Sequence, residues 1–277
     1  MANKIEILSL SKTLNGKIVL HNINLNIIEG ETFTIIGQSG VGKSVLLKHI
    51  IGLMLPDNGQ IYIDGEKIDY ENSQKADEIR HKFGMLFQGG ALFDSLTVGD
   101  NILFALDHLR SDLNESEKQE FMLKTLELVE LPGIENLMIA SLSGGMMKRV
   151  ALARAMVAEP SIILFDEPTT GLDPITTANI NDLIKHLKQK LKTTFIIVTH
   201  DIKSAKFYSD RIGMLYDGNL IFIGTPEELE KTDNPYVRQF TEGRYEGPIT
   251  DDYNAAFESI LYNNVKSKKR GGVYGKG

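Results

Sequence analysis

The stretch that decides the fold is GQSGVGKS, residues Gly37–Ser44, which follows the apolar run Phe33–Ile36 and precedes the helical pattern Ser44–Ile51. It fits the pattern G-x-x-x-x-G-K-[ST], with the strand before it and the helix after it that a phosphate-binding loop requires. Glycines let successive backbone N–H groups curve around phosphate oxygens, and the helix N-terminus adds its positive end. We expect Lys43 to reach the β- and γ-phosphates and the Ser44 hydroxyl to ligate Mg²⁺. The predicted nucleotide-binding residues of this loop are Gly37, Gln38, Ser39, Gly40, Val41, Gly42, Lys43 and Ser44.

Two acidic residues, Asp166 and Glu167, follow the apolar run Ile162–Phe165. They stand at the carboxyl end of a predicted strand, where open α/β sheets bind ligands. We expect Asp166 to hold Mg²⁺ and Glu167 to orient or deprotonate the water that attacks the γ-phosphate. Without the phosphate-binding loop, the same pair would indicate only a solvated strand end.

A second glycine-rich element, Ser143-Gly144-Gly145-Met146, opens a helical pattern that runs through Met156. Ser143 is a typical N-cap, and the two glycines leave backbone N–H groups open to an anion. An ordinary capped helix is the alternative interpretation. One triphosphate does not need two such loops from one chain, whereas a head-to-tail pair of chains could supply one each. The sequence therefore predicts a dimer.

Two kinds of strand pattern indicate an α/β fold. Alternating apolar residues near the N-terminus, with the turn Asn15-Gly16 between them, predict half-buried antiparallel strands. Nearly continuous apolar runs later in the chain are typical of parallel strands covered on both faces. Between about residues 97 and 159 the spacing becomes helical. The predicted parallel strands are Phe33–Gly37, Phe83–Phe87, Ile162–Asp166, Phe195–Thr199 and Ile212–Tyr216.

Composition and charge exclude several classes of protein. The 277 residues contain no cysteine, which excludes disulfide scaffolds, thiolate metal sites and a cysteine nucleophile. The formal charge is −7, and Lys266–Gly277 carries five cations and no acid, so the remaining body is more acidic still. An acidic body argues against broad binding to nucleic-acid backbones. Met1–Leu10 lacks the apolar core of a signal peptide, and no apolar run reaches the ~20 residues of a spanning helix.

Six elements in this order resemble the nucleotide-binding subunit of ABC transporters, over roughly residues 1–242. The resemblance implies a P-loop NTPase with a RecA-like core and a parallel sheet, an N-terminal antiparallel β layer and an inserted α-helical subdomain at about 97–159. Residues 243–277 would form a C-terminal extension with a basic, disordered tail. The six elements are Gly37–Ser44, Gln88, Leu142–Met146, Ile162–Glu167, Gly171–Asp173 and His200.

The resemblance also implies roles for individual residues, with ATP and Mg²⁺ as cofactors. Gln88 would ligate Mg²⁺ or the attacking water, His200 would contact the γ-phosphate, and Asp173 would cross the dimer interface. The catalytic set is thus Lys43, Gln88, Glu167 and His200, and the metal set is Ser44, Gln88 and Asp166. Ser143, Gly144 and Gly145 of one subunit would close on ATP held by the other. Leu14 stands where the family usually stacks adenine on an aromatic residue, which leaves selectivity for ATP over GTP open.

The segment Gly90-Ala91-Leu92-Phe93 after Gln88, followed by Thr97-Val98, resembles the Mla/Mce-type lipid-transport ATPases of Gram-negative bacteria and plastids. Pro174-Ile175-Thr176 after Asp173 agrees. The stretch from Gln239-Phe240 to Gly247-Pro248-Ile249 agrees too, since it resembles that group's C-terminal extension, which lies against the other subunit. The resemblance implies an ATPase on the cytoplasmic side of the inner membrane that drives phospholipid transport to a periplasmic carrier. Its partners would be an MlaE-like permease dimer, an Mce-domain ring and a small STAS-domain regulator.

Ala91, Leu92, Phe93 and Leu96 could form an apolar patch that grips a permease helix, with core packing as the alternative. Three other functions remain open at this point. An importer ATPase for a small polar solute would normally lack Gly-Ala-Leu-Phe, and a soluble ABC ATPase acting on nucleic acid or ribosomes usually has two cassettes or a long coiled coil. A P-loop kinase leaves Ser143–Met146 unexplained. No direct contact with nucleic acid is expected.

Overall fold

The largest sheet places β3 (Thr32–Ile36), which leads into the phosphate-binding loop, near its middle. In the computed structural model, which describes residues 2–255, the strand order of this sheet is β10-β9-β3-β8-β7-β6. The pairs within β9-β3-β8-β7-β6 are parallel, as predicted, and β10 adds an antiparallel edge. The other strands are β6 (Phe83–Leu86), β7 (Ile162–Asp166), β8 (Thr194–Thr199), β9 (Arg211–Tyr216) and β10 (Asn219–Gly224).

A second sheet is entirely antiparallel, with the strand order β2-β1-β4-β5. Its long hairpin turns at Asn15-Gly16, where both residues have positive φ, as the predicted turn requires. The sequence prediction of an N-terminal antiparallel layer is confirmed, and β4 and β5 extend it. The strands are β1 (Asn3–Leu14), β2 (Lys17–Ile28), β4 (Asn58–Ile63) and β5 (Glu66–Lys67).

The helices of the segment between β6 and β7 account for the predicted helical insertion. α3 and α4 each begin with a capping box, at Thr97 and Asn114, which satisfies backbone N–H groups that a helix start leaves free. Across residues 2–255, no helix is both long enough and apolar enough to cross a membrane. The helices are α1 (Lys43–Ile50), α2 (Ser73–Arg80), α3 (Val98–Leu109), α4 (Glu115–Leu128), α5 (Gly144–Met156), α6 (Pro174–Lys190), α7 (Ile202–Tyr208), α8 (Pro226–Lys231) and α9 (Pro235–Glu242).

Apolar side chains cover both faces of the large sheet, because its strands send alternate residues to opposite sides. Ile163 and Phe165 of β7 pack with residues of α3–α6, whereas Ile162 and Leu164 pack with α1, α2 and the antiparallel sheet. Gly84 of β6 lets α5 lie directly against the strand, since a Cβ atom there would overlap the carbonyl oxygen of Ala155. The two cores thus fix the phosphate-binding loop and α5 on the same rigid sheet.

The chain divides into two compact units, one ending at Pro226 and one beginning at Glu227. In the second unit the buried amide of Gln239 accepts from the Ile249 backbone N–H at 2.8 Å and donates to the Thr250 hydroxyl at 2.9 Å. This amide links α9 to a helical stretch over 248–255. The predicted domain boundary after residue 242 stays a prediction, and the predicted disordered tail Lys266–Gly277 lies outside the described residues.

Candidate active site

The phosphate-binding loop depends on three glycines with left-handed backbone angles: Gly37 (φ 153°), Gly40 (φ 78°) and Gly42 (φ 111°). A Cβ atom at Gly42 would lie 2.9 Å from the Val19 carbonyl oxygen, and one at Gly37 would overlap the carbonyl oxygen of Leu215. Both the backbone angle and the available space therefore require glycine at these two positions. The loop predicted from the sequence is formed between β3 and α1.

Lys43 is the first residue of α1, and its side chain is 6% exposed. Its Nζ donates to the carbonyl oxygens of Gly37 at 2.8 Å and Gln38 at 3.0 Å, and it lies 3.6 Å from Glu167 Oε1. Burial lowers the pKa of Lys43, and the carboxylates of Glu167 and Asp166 oppose that shift. A buried ammonium with these partners is poised to exchange the carboxylate for a phosphate.

Asp166 ends β7 and meets the phosphate-binding loop through Ser44, whose hydroxyl donates to Asp166 Oδ1 at 3.3 Å. Burial is the main cause that raises the pKa of Asp166, and the Ser44 bond opposes it. A carboxylate and a hydroxyl are the hard oxygen ligands that suit Mg²⁺. The structure therefore brings together two of the three predicted metal ligands, and their chemistry fits that cation.

Glu167 follows Asp166 in a left-handed backbone conformation (φ 53°), which is uncommon for a residue with a side chain. Its Oε2 lies 2.9 Å from His200 Nδ1 and accepts from the hydroxyls of Thr170 at 3.2 Å and Thr199 at 3.3 Å. Its backbone N–H donates to the Val198 carbonyl oxygen at 2.9 Å. This carboxylate is thus held in one orientation by groups from two segments of the chain, Thr170 and Thr199–His200.

A cleft of about 490 Å³ contains most of the residues predicted at the site. Leu14 and Val19 supply apolar walls to it, so a nucleobase here would meet aliphatic side chains rather than an aromatic ring. His200 reaches the site through Glu167 and does not line the cleft. The lining residues are Leu14, Val19, Ser39, Gly40, Gly42, Lys43, Ser44, Val45, Gln88, Asp166 and Glu167.

Ser143, Gly144, Gly145 and Asp173 do not line that cleft. They lie beside one another instead: Ser143 caps α5, Asp173 caps α6, and a Cβ atom at Gly145 would lie 2.7 Å from the Thr176 methyl carbon. The first N–H groups of α5 thus lie at the start of a capped helix, away from the cleft, and their binding of an anion stays a prediction.

Sequence reasoning missed three residues of the site. The hydroxyls of Thr170 and Thr199 hold Glu167, and Lys148, which is 8% exposed, donates from Nζ to the Gln88 carbonyl oxygen. Burial lowers the pKa of Lys148, and the charges of Asp166 and Glu167 oppose the shift. Nothing in the local pattern marks Lys148, because a lysine near a helix start is usually solvated.

The sequence model of the ABC transporter family matches residues 20–170. The chain belongs to the ABC transporter family. A "Probable ribonucleotide transport ATP-binding protein mkl" of Mycobacterium leprae is 42% identical over 250 residues, covering 90% of this chain and 72% of that protein. The "Intermembrane phospholipid transport system ATP-binding protein MlaF" of Haemophilus influenzae is 38% identical over 253 residues, covering 91% of this chain and 96% of that protein.

A solved structure of the ATP-binding cassette MJ0796, described as a dimeric post-hydrolysis state bound to ADP and Pi, is similar with a TM-score of 0.73. The two chains are 36% identical, and the match covers 80% of this chain and 98% of that one. This ABC transporter subunit therefore has the predicted P-loop NTPase fold, and it binds and hydrolyses ATP. Both predictions from the sequence are confirmed.

Proposed function

We propose that this ABC transporter subunit supplies ATP hydrolysis to phospholipid transport between the inner membrane and a periplasmic carrier. The observation that carries the proposal is the Gly90–Phe93 segment, in which Ala91 and Phe93 line an apolar groove next to the strand that leads to Gln88. The similarity to MlaF over almost the full length of both chains supports it. Ribonucleotide transport is the second candidate, because the Mycobacterium leprae relative bears that name.

The cleft of one chain presents its phosphate-binding loop and carboxylates without the second glycine-rich surface. We propose that two copies associate head to tail, so that Ser143, Gly144, Gly145 and Asp173 of one copy close on the triphosphate held by the other. The open N–H groups at the start of α5 would then face phosphate oxygens. The dimeric state of the similar cassette MJ0796 supports this arrangement.

At the proposed site each residue of the cleft has a distinct task. Lys43 would exchange its contact with Glu167 for the β- and γ-phosphates, and Ser44, Asp166 and Gln88 would hold Mg²⁺. Bound there, the cation would neutralise phosphate charge. Glu167 accepts a proton from the attacking water, and His200 keeps the carboxylate oriented while reaching towards the γ-phosphate.

The proposed permease surface is a groove of about 500 Å³ lined by Ala91, Phe93, Phe104, His108 and Arg154, among others. The Phe93 ring is 41% exposed and stacks edge-on against Phe104 with centroids 4.8 Å apart. Exposed aromatic pairs beside a cation are typical of interface anchors. We propose that an amphipathic permease segment docks here, which places the subunit on the cytoplasmic face of the membrane.

The four residues that were predicted to form one apolar patch do not lie on one surface of the structure. Ala91 and Phe93 line the groove, whereas Leu92 packs against the buried core of the helical segment. Leu96 is partly exposed and does not line the groove. An MlaE-like permease dimer therefore remains the proposed partner, and the Mce-domain ring and the STAS-domain regulator are proposed with it.

Affinity purification from detergent-solubilised membranes tests this function, with mass spectrometry of the proteins and lipids that are recovered. We expect a polytopic permease together with phospholipid. Phe93→Asp should lose the permease while the isolated subunit keeps its ATPase activity. Phe207→Asp is the matched control, because Phe207 is 43% exposed and also carries a cation over its ring.

Three results would contradict the proposal. Recovery of ribosomes would favour a soluble ABC ATPase that acts on nucleic acid or ribosomes. Recovery of a permease with bound ribonucleotide but no phospholipid would favour ribonucleotide transport. Equal loss of the permease in Phe93→Asp and Phe207→Asp would remove the groove as the docking surface.

A further inference from the structure

Two cations of α5, the buried Lys148 and the partly buried Arg154, hydrogen-bond to the loop that carries Gln88. Lys148 Nζ donates to the Gln88 carbonyl oxygen, and the Arg154 guanidinium donates to the carbonyl oxygens of Gly90 at 2.8 Å and Ala91 at 2.7 Å. We call residues 88–91 the Gln88 segment. Three of its four carbonyl groups thus accept hydrogen bonds from one helix.

The backbone of the Gln88 segment needs external support. Gly90 (φ 76°) and Ala91 (φ 50°) are both left-handed, and alanine pays a steric penalty in that conformation. The segment is neither helix nor strand. A Cβ atom at Gly90 would lie only 3.4 Å from that of Ala151, so the segment runs close along α5. Hydrogen bonds to charged groups are stronger than neutral ones, and they hold this conformation against α5.

Lys148 and Arg154 both belong to α5, which begins directly after its cap residue Ser143. We infer that Lys148 and Arg154 anchor the Gln88 segment to α5, and that Lys148 is a positioning residue that sets the place of Gln88 in the ATP cleft.

Lys148 is suited to this position because nearby groups offset the cost of burying its charge. Its ammonium donates to the Gln88 carbonyl oxygen, and the negative charges of Asp166 and Glu167 favour its charged form. A neutral side chain of the same length would keep the packing but lose the link to Gln88. Arg154 also lines the apolar groove beside Phe93, so the anchor extends from the cleft to that groove.

Hydrogen exchange of the full-length chain measures the anchor directly, without nucleotide. Lys148→Met keeps the aliphatic stem and removes the donor. The reporter within the Gln88 segment is the buried Gly90 amide, whose N–H donates to the Phe87 carbonyl oxygen at 2.8 Å. We expect exchange of this amide to become at least about tenfold faster, which corresponds to about 1.4 kcal/mol. Exchange in β6 and in the middle of α5 should stay unchanged. Lys148→Arg restores a charged donor and should restore slow exchange.

Steady-state ATPase assays provide the second readout. Because the Gln88 segment acts on the reacting groups rather than on the bulk of the nucleotide, we expect Lys148→Met to lower kcat about tenfold and to change KM for ATP less than about twofold. Lys148→Arg should recover most of the lost kcat. A purely structural role would lower the melting temperature without this division between kcat and KM.

Arg149→Met is the matched control. Arg149 is the next residue of α5 and donates to the Val129 carbonyl oxygen at 2.8 Å and to Glu130 at 2.6 Å, away from the Gln88 segment. The variant Arg149→Met should leave both the amide hydrogen exchange of residues 88–91 and kcat unchanged. If Lys148→Met leaves exchange in the segment at the wild-type rate, or if Arg149→Met slows turnover equally, the anchor is refuted. Should Lys148→Met fail to fold, Lys148→Gln, which keeps a neutral donor, is expected to show a smaller change of the same kind, and wild-type exchange there would refute the inference.

Discussion

Replacing Glu167 by glutamine separates ATP binding from hydrolysis. The amide keeps the size of the side chain and can still accept from His200, Thr170 and Thr199 through its oxygen. It cannot accept a proton from water. Because a positioned general base contributes about 10²–10⁴-fold to rate, we predict that kcat of Glu167→Gln falls by about that factor.

The same substitution should tighten nucleotide binding. Glu167 Oε1 lies 3.6 Å from Lys43 Nζ, and both side chains are almost fully buried. At an effective dielectric constant of about 20, that pair is worth about 4–5 kcal/mol, which Lys43 must give up before it turns to a phosphate. If one third of this energy is recovered, the gain is about 1.4 kcal/mol, and the Kd for ATP falls about tenfold.

Equilibrium titration with a fluorescent ATP analogue measures the affinity, and phosphate release measures turnover. Sedimentation of the variant at saturating ATP should show a dimer, since the nucleotide stays between the proposed pair of chains. Thr170→Val is the control for affinity, because it removes one donor to Glu167 without changing charge. Undiminished turnover would remove the role of Glu167, and unchanged or weaker binding would refute the competition for Lys43.

Two further predictions concern stability. His49 is fully buried, and its Nε2 has no hydrogen-bond partner among residues 2–255. Burial lowers the pKa of His49 in the folded chain. Below about pH 6.5 the unfolded chain therefore binds more protons than the folded chain, and the free energy of unfolding decreases as the pH falls. Urea unfolding at pH 7.5 and 5.5 should show a smaller loss in His49→Leu, and an equal loss would disprove the assignment. Gln239→Leu leaves the Ile249 N–H and the Thr250 hydroxyl without their shared amide, at a cost of about 1–3 kcal/mol. Tryptic cleavage after Arg244 should accelerate about tenfold, and an unchanged rate would show that this amide does not hold the second unit together.

The parallel strands and the phosphate-binding loop were predictable because local sequence determines them. Phe33–Ile36 is apolar apart from Thr34, and Ile162–Phe165 is apolar throughout, as burial on both faces favours. Gly37 and Gly42 of the loop occupy positions that a Cβ atom would block. For the start of α4, the sequence pattern predicts a cap at either Asn114 or Ser116. Asn114 is the cap, because its side chain and that of Glu117 satisfy each other's backbone N–H groups.

Other features follow from contacts that a local pattern does not contain. β4, β5 and β10 are partly exposed and lack a clear alternation, so their pairing depends on strands distant in sequence. The bond from Lys148 to Gln88 joins residues 60 positions apart. Similarly, spacing did not distinguish Leu92 from Phe93, although one packs into the core and the other lines the groove. These contacts join residues that are distant in sequence, so they become visible only in the folded structure.

The contact between Gly84 and Ala155 fixes one point of α5 close to the large sheet, because no side chain separates the strand from the helix there. Ser143 lies about 18 Å further along the helix axis. A tilt of α5 by about 10° around this contact would move the loop at Ser143 by about 3 Å and leave the strand that leads to Gln88 almost in place. The absence of a Cβ atom at Gly84 thus makes the largest displacement of a tilting α5 fall at the loop that we propose faces a second chain.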